Sequence, residues 1–265
     1  MYKIDAMRGV LTFLFSVIIL FGFSPLWGGD TLRLKVMTYN LRFGERASLE
    51  ELAELIRSEQ PDFVAIQEVD CRTRRNGVDH QHDKDFSTEL GLRTGMFPLY
   101  GKTIPHAGGW YGIGILSAYP YVEVKKVMLP QATKEEEPRA LLVALCEVGN
   151  DTVAFASTHW ALTKESRLMQ AEAVIQEAET CEYPLVLGGD FNAKPKASEI
   201  RRMCRCWSVL TGKEPTYPSG HPTVKIDYLF GYPSEAWVLE STRVIPSELS
   251  DHCPVVSVIR RADVR

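Results

Sequence analysis

Polar side chains suited to metal binding or proton transfer stand at the ends of several short apolar segments. Asn40 follows LKVMTY, Glu68 follows FVAIQ, His159 follows VAFAST and Asp190 follows PLVLGG. Strand ends are where α/β proteins build their sites. Taken singly, each residue has an ordinary alternative as a turn former, a surface acid or a structural histidine. Those alternatives explain the joint occurrence poorly, and the pattern indicates one site built from several strand ends.

Further residues of the same chemical types lie near the C-terminus and beside Asp190. Asp227 stands within the apolar segment KIDYLF, where a carboxylate is costly without a partner. Asp251 and His252 directly precede the apolar segment CPVVSVI. Asn192 follows Asp190 by two positions, and both also fit a local turn before a proline.

This set of side chains favours hydrolysis of a phosphate ester. Asn, Glu and Asp oxygens suit a hard cation such as Mg²⁺, which keeps water positions open for substrate. Such a cation polarises a phosphate, and two histidines with Asp partners supply a base and a charge-stabilising donor when water attacks phosphorus. Nothing in the sequence indicates an activated Ser or Cys nucleophile, a P-loop or a dinucleotide-binding glycine motif.

Composition and charge exclude several classes of protein. The 265 residues are 45% hydrophobic and 24% charged, which is ordinary for a globular chain and excludes disordered, collagen-like and coiled-coil classes. Thirty Lys and Arg against 34 Asp and Glu give a net charge of -4. Because no overall positive field attracts polyanions, nucleic acid is a less favoured partner, although not an excluded one.

The elements that must position these residues alternate between strands and helices. A capping box of Ser48 and Glu51 opens an amphipathic helix over residues 48–60, and a second helix is predicted over residues 164–179. Polar loops are expected over residues 70–87 and 130–139. Strand-helix-strand order at both helices, with consecutive strands elsewhere, predicts mixed sheets with helices outside. The predicted strands are LKVMTY, FVAI, GIGIL, LLVALCEV, VAFAST, PLVLG, IDYLF, AWVL and PVVSVI.

The N-terminal segment, residues 1–29, has the anatomy of a signal peptide. Lys3 and Arg8 precede 14 uncharged residues from Val10 to Phe23, fewer than the roughly 20 that a spanning helix needs. We therefore expect export, with a domain over residues 30–265 in the periplasm or outside the cell. A retained membrane anchor is the alternative. The six cysteines are predicted to be mostly buried free thiols.

Six motifs occur in order between about residues 34 and 259: MTYNLR, IQEVD, STHW, GGDFNAKP, KIDYLF and LSDHCPV. On these motifs the chain resembles the endonuclease/exonuclease/phosphatase family, also called the deoxyribonuclease I-like fold. The resemblance implies a four-layer α/β sandwich, with two face-to-face mixed β-sheets flanked by helices. It also implies Mg²⁺- or Mn²⁺-dependent hydrolysis of phosphate esters.

The same resemblance implies metal ligands. Glu68 resembles the family's principal ligand, and Asn40 lies beside the same ion. Asp251 resembles a further acidic residue near the metal. Mg²⁺ or Mn²⁺ is the expected cofactor.

The resemblance also implies catalytic roles for five residues. Asp190 looks like the residue that orients or deprotonates the attacking water, and Asn192 would stabilise charge on the phosphate. His252 resembles the histidine that contacts the scissile phosphate, and Asp227 the acid that orients it. His159 resembles a second histidine that contacts the phosphate.

Two more positions have looser matches. Tyr111 matches a phosphate-binding tyrosine of some members, with a core aromatic as the alternative. Arg139 in EPRALL is expected to contact a phosphate or headgroup, unless it is a surface cation that offsets Glu135, Glu136 and Glu137. Many family members have an asparagine where this chain has Ile113. We therefore expect no phosphate contact at this position.

The branch of the family is indicated by QEVD followed by CRTRRNGVDHQ, which resembles the C-terminal domain of the calcofluor white hypersensitive protein and its exported bacterial relatives. This favours a monomeric phosphodiesterase acting on a phospholipid headgroup or a similar small phosphate ester, close to a membrane. One alternative is a secreted nuclease that uses Arg72, Arg74 and Arg75 as a local phosphate track. Another is a binding module that kept the fold without turnover.

Overall fold

Two six-stranded β-sheets form the centre of the structure, a computed structural model that describes residues 31–262. The signal segment predicted over residues 1–29 lies outside the described residues. In the first sheet the strand order is β11-β12-β1-β2-β4-β3, and β1 pairs with β2 in the only parallel pairing among its described strands. These strands are β1 (Arg33–Asn40), β2 (Phe63–Cys71), β3 (Phe97–His106), β4 (Gly109–Ser117), β11 (Trp237–Val244) and β12 (Val255–Arg261).

The second sheet repeats this mixed arrangement. Its strand order is β5-β6-β7-β8-β10-β9, with β7 and β8 parallel and the remaining described neighbours antiparallel. The strands are β5 (Tyr121–Met128), β6 (Ala140–Val148), β7 (Asp151–His159), β8 (Leu185–Asp190), β9 (Ser208–Val209) and β10 (Asp227–Tyr232).

Apolar side chains from the inner faces hold the two sheets together. The rings of Phe63 in β2 and Phe155 in β7 stack with centroids 4.8 Å apart. Ile113 of β4 is buried in the same layer, where it cannot reach a substrate. Alternate residues of β1, β2, β4, β6 and β7 face this layer, as expected for a strand with one face against a second sheet.

Among the described residues, four helices cover the outer faces, and the four-layer α/β sandwich predicted from the sequence is confirmed. The helices α1 (Leu49–Glu59) and α2 (Phe86–Thr94) pack on the first sheet, and α3 (Lys164–Glu179) and α4 (Ser198–Met203) on the second. The predicted capping box opens α1. Short 3-10 turns occupy Arg42–Gly44 and Asp79–Gln81. None of the helices within residues 31–262 has both the length and the apolar composition needed to cross a membrane.

Each sheet contains one strand-helix-strand crossover. α1 connects β1 to β2, and α3 connects β7 to β8. The carboxyl ends of each parallel pair therefore meet at one edge of their sheet.

All six cysteines are free thiols, as predicted. The expectation that most of them are buried was wrong, because only Cys146 and Cys253 are buried. Cys146 lies in the layer between the sheets, whereas Cys204 follows a short surface helix and is exposed.

Candidate active site

Asn40 joins the two sheets at the edge where the parallel strands end. It is the last residue of β1, and its Nδ2 donates to Oε1 of Glu68 at 2.9 Å and to Oδ2 of Asp190 at 3.1 Å. Asp190 ends β8, where it is paired in register with His159 of β7 and with Asp227 of β10. Strand register thus brings the three residues of the second sheet together, and the packing of the two sheets adds Asn40 and Glu68 of the first.

A β-bulge turns Glu68 into this cluster. The pairing of β2 with β4 shifts register between Gln67 and Val69, and Glu68 between them has a left-handed φ of 55°. Left-handed backbone in a residue other than glycine costs about 1–3 kcal/mol and is concentrated at functional sites. Burial raises the pKa of the Glu68 carboxyl, against the hydrogen bond from Asn40.

Arg42 connects Asp251 to the same strand end. The Arg42 guanidinium donates to Oδ2 of Asp251, and the Arg42 backbone N–H donates to Oδ1 of Asn40 at 2.9 Å. Oγ of Ser250 donates to the Asn40 carbonyl at 2.7 Å. The three predicted metal ligands, Glu68, Asn40 and Asp251, are thus connected around the end of β1.

Asp190 is the central acceptor of the cluster. Its Oδ1 accepts from the Asn192 backbone N–H at 2.9 Å, and its Oδ2 lies 3.4 Å from Nε2 of His159 and 3.6 Å from Nε2 of His252. Burial and the charge of Asp227 raise the pKa of Asp190 to about 7, although His252 opposes them. A carboxylate with this pKa is suited to accept a proton near neutral pH.

His252 and Asp227 form a buried pair. Nδ1 of His252 lies 3.0 Å from Oδ2 of Asp227, which also accepts from the Thr216 hydroxyl. Burial disfavours the imidazolium, but the charge and hydrogen bond of Asp227, followed by Asp190 and Asp251, outweigh it and raise the pKa of His252 to about 10. The Tyr217 ring packs against the imidazole at 4.9 Å.

His159 differs from His252 in the protonation state that its neighbours favour. Nη1 of Arg139 lies 2.8 Å from Nδ1 of His159, and because arginine only donates, Nδ1 accepts and the ring hydrogen of the neutral imidazole lies on Nε2. Burial, Arg139 and His252 lower the pKa of His159 well below its ordinary value. The surroundings therefore favour the neutral form of His159 and the protonated form of His252.

Two hydrogen-bond donors face each other beside these residues. The Asn192 amide is oriented by the Trp160 carbonyl, which accepts from Nδ2 at 2.9 Å. The same Nδ2 lies 3.2 Å from Nε2 of His159, which carries a hydrogen in this tautomer. Neither nitrogen can accept from the other, so one acceptor oxygen within reach of both could accept a hydrogen bond from each.

Tyr111 and Arg139 lie close to this cluster. Tyr111 is buried in β4, opposite Asp70 in the register with β2, and burial followed by the charge of Glu68 raises its pKa. Arg139 is buried between His159 and Glu137, whose Oε1 is 2.9 Å from Nη1. Its predicted contact with substrate stays a prediction, as do the roles assigned to the other site residues.

The three neighbouring arginines do not form a common basic surface. Arg74 makes a bidentate contact with Asp83, and Arg75 makes one with the buried Asp70. Arg72 is exposed. Since two of the three charges are offset by carboxylates, the segment lacks the continuous positive charge of a phosphate track.

The donor atoms fit a hard divalent cation. The negative charge of Glu68 is only partly offset by its neighbours, because burial outweighs the hydrogen bond from Asn40. Asn40 and Asp251 add oxygens beside this carboxylate. A second group, Asp190, Asp227 and His252, has ligand atoms within 4.8 Å of one another. In that group Nδ1 of His252 is already bonded to Asp227, so the oxygen-rich side at Glu68 fits such an ion better.

Several residues that support the site had no predicted role. Arg42 could have been found, because it lies within the MTYNLR motif two positions after Asn40. Thr216 and Tyr217 lie in a loop without a recognisable motif, and only the structure brings them to Asp227 and His252.

A two-sheet sandwich with acids, amides and two histidines at one edge defines the class of α/β-sandwich phosphoesterases. The chain belongs to the Endonuclease/Exonuclease/phosphatase family, which it matches over residues 37–252. Members of this family are hydrolases that act on phosphoesters and generally depend on a divalent metal.

Solved structures share the fold at low sequence identity. An endonuclease/exonuclease/phosphatase from Beutenbergia cavernae is 23% identical, with a TM-score of 0.73 over 87% of this chain and 72% of the other. A mannosyl-6-phosphatase from Bacteroides thetaiotaomicron is 17% identical, with a TM-score of 0.68 over 87% and 100%. The human Nocturnin catalytic domain, with a bound sulfate anion, is 19% identical, with a TM-score of 0.64 over 88% and 96%. No curated protein sequence matched the chain significantly.

Proposed function

We propose that this protein is an exported, Mg²⁺- or Mn²⁺-dependent phosphodiesterase that acts on a phospholipid headgroup or a similar small phosphate ester. The observation that carries the proposal is the pair of donors on His159 and Asn192, which face each other at 3.2 Å beside Asp190. A tetrahedral phosphate presents oxygens that can accept from both of these donors. The protonated His252, 3.6 Å from Asp190, adds a cationic donor.

The metal would be held by Glu68, Asn40 and Asp251, whose oxygens suit Mg²⁺ or Mn²⁺. When bound, the ion supplies Lewis acidity that polarises the phosphate. Arg42 fixes the orientation of Asp251, and the bulge at Glu68 aims that carboxylate at the same place.

The other residues position water and phosphate. Asp190 accepts a proton from the attacking water, since burial holds its pKa near neutrality. His252 donates to the phosphate from Nε2 while Asp227 holds Nδ1. His159 and Asn192 donate to a second phosphate oxygen, and Arg139 keeps His159 in the tautomer that donates from Nε2.

The choice of a small ester over nucleic acid has three supports. The chain is acidic, with a net charge of -4. Arg74 and Arg75 are each offset by an aspartate. One structural relative is a phosphatase of a mannosyl 6-phosphate. The apolar segment from Val10 to Phe23 supports export, and the QEVD-CRTRRNGVDHQ resemblance supports a headgroup substrate.

The test compares esters side by side with the purified protein and Mg²⁺. Phosphatidylinositol, sphingomyelin, an aryl phosphodiester and DNA are assayed with wild type, Glu68→Ala and the exposed control Glu50→Ala. We expect turnover of lipid or of the aryl diester that is lost in Glu68→Ala and kept in Glu50→Ala. DNA cleavage lost only in Glu68→Ala would replace this proposal with the nuclease alternative. Absence of turnover on every ester would favour a binding module.

A further inference from the structure

We propose that Arg75 is a specificity-determining residue that donates a hydrogen bond to a hydroxyl oxygen of the polyol esterified to the scissile phosphate. This inference rests on the proposed function and deepens it. It concerns one of the three arginines that the sequence suggested as a phosphate track, which the structure separates into different environments.

Arg75 lies at the edge of the candidate site. Its guanidinium carbon is 3.9 Å from the centre of the Phe43 ring and 5.3 Å from that of Tyr111. Phe43 follows Arg42, the partner of Asp251. Tyr111 stands opposite Asp70, two residues after Glu68 in β2. Arg75 is therefore placed between the two segments that position the predicted metal ligands.

Asp70 holds the guanidinium in one orientation. Nε of Arg75 donates to Oδ2 of Asp70 at 3.0 Å, and Nη2 donates to Oδ1 at 2.9 Å. Asp70 is 2% exposed and also accepts from the Thr73 hydroxyl at 2.7 Å. A bidentate contact fixes the plane of the arginine. Nη1 has no hydrogen-bond partner within residues 31–262, and the side chain is 18% exposed. A donor edge is thus available to a bound molecule.

The loop that carries Arg75 is anchored to the turn that carries Phe43. Nε2 of His82 lies 2.9 Å from the Arg75 carbonyl oxygen. Nε2 of Gln81 donates to the carbonyls of Ala47 at 2.8 Å and Gly44 at 3.2 Å. These bonds hold the arginine in place before substrate arrives, which reduces the entropy lost on binding.

The charge balance favours a neutral ligand group. Because Asp70 offsets the guanidinium charge, the pair attracts an anion weakly, whereas its free N–H groups still select an acceptor oxygen by geometry. A sugar or inositol hydroxyl next to the phosphate provides such an oxygen. A planar aryl leaving group has none at that position.

Arg74 provides a matched control in the same loop. It makes the same kind of bidentate contact, with Asp83, but its side chain is 70% exposed and makes no ring contact within the described chain. The variant Arg75→Lys keeps a cation beside Asp70 and removes the planar donor edge. The double variant Asp70→Asn with Arg75→Gln removes both charges together, so that no buried carboxylate loses its partner.

The experiment measures kcat/KM with Mg²⁺ on glycerophosphoinositol and on bis(p-nitrophenyl) phosphate. For Arg75→Lys and the double variant we expect about a tenfold loss on the polyol diester, mostly in KM, because tenfold corresponds to about 1.4 kcal/mol, which is within the range of one hydrogen bond. The aryl diester should change less than about threefold, and Arg74→Lys should change neither.

Equal losses on both esters, or no loss on the polyol diester, would overturn the role of Arg75 and leave the proposed function intact. A wild-type protein inactive on glycerophosphoinositol would overturn this inference, and inactivity on every ester of the wider panel would overturn the proposed function as well. Circular dichroism of each variant separates a loss of folding from a loss of recognition.

Discussion

Nδ1 of His159 accepts a hydrogen bond from Nη1 of Arg139 at 2.8 Å, and both side chains are buried. The arginine therefore selects the tautomer of the histidine and disfavours its protonation. On the other side of Asp190, Asp227 favours the protonated form of His252. Two histidines on either side of one carboxylate are thus held in different states by neighbours of opposite charge.

Replacing Arg139 tests the first half of this arrangement. In Arg139→Met, His159 loses the partner that fixes its tautomer and one cause of its lowered pKa, so it should protonate more readily. We expect kcat on an active phosphodiester to fall by about 10- to 100-fold, the range of one lost orienting interaction. Steady-state rates measured against pH provide the check. Glu135→Gln, which changes a nearby exposed acid, should leave both rate and profile unchanged.

Glu68→Gln separates metal binding from folding. The neutral amide removes a partly buried charge, so the metal-free variant should be about 1 kcal/mol more stable than metal-free wild type. This corresponds to about 2–4 °C in Tm. Saturating Mg²⁺ should raise the Tm of wild type but not of the variant, since only a ligand that binds the native state stabilises it. Calorimetry with and without EDTA measures both effects, and an equal Mg²⁺ shift in both proteins would contradict the assignment.

The pairing of His252 with Asp227 predicts an NMR titration. In EDTA-treated wild type, the His252 imidazole should stay protonated through neutral pH, because its pKa is raised to about 10. In Asp227→Asn the carboxylate charge is gone while burial remains, so the midpoint should move down by several pH units. An unchanged midpoint would show that Asp227 does not control this histidine.

Lys225 predicts a pH dependence of stability. It is 7% exposed, its Nζ donates to Thr211 Oγ1 at 3.0 Å and to the Asp227 carbonyl at 3.2 Å, and burial lowers its pKa to about 8. The unfolded chain keeps this proton up to a pH of about 10.5. Between these values the unfolded state binds more protons, so stability rises with pH.

The measurement compares wild type with Lys225→Met, which has no proton to release. Between pH 7 and pH 9.5, the free energy of unfolding of wild type should rise by about 2 kcal/mol relative to that of Lys225→Met. Urea unfolding at several pH values checks this. The exposed residue Lys213 supplies the control, because Lys213→Met should show no such trend. A difference independent of pH would contradict the lowered pKa.

The buried strands of the fold could be predicted from sequence because they are continuous apolar segments. β3, β5 and the two-residue β9 were not predicted. Each lies at the edge of its sheet, so one side of the strand faces solvent. β3 contains Pro98 and Pro105, which an edge strand tolerates, and β5 is charged and mostly exposed. Apolar patterning carries little information for such strands.

The site was predictable where its residues end strands and unpredictable where they reach it from loops. Asn40, His159 and Asp190 follow apolar segments that fix their place in the sheets. The bulge at Glu68 left no clear pattern, because a register shift depends on the partner strand. Thr216 comes from a loop whose path is set by distant contacts.

The Asn40 amide bonds to an acid from each sheet, Glu68 in the first and Asp190 in the second. Neither sheet alone carries a complete set of reactive groups. Hydrolytic activity should therefore depend on the contact between the sheets. A substitution at the stacked Phe63 and Phe155 that shifts one sheet against the other should abolish activity even though every residue of the candidate site is still present. Loss-of-function screens of this protein should therefore recover core positions as well as the polar cluster.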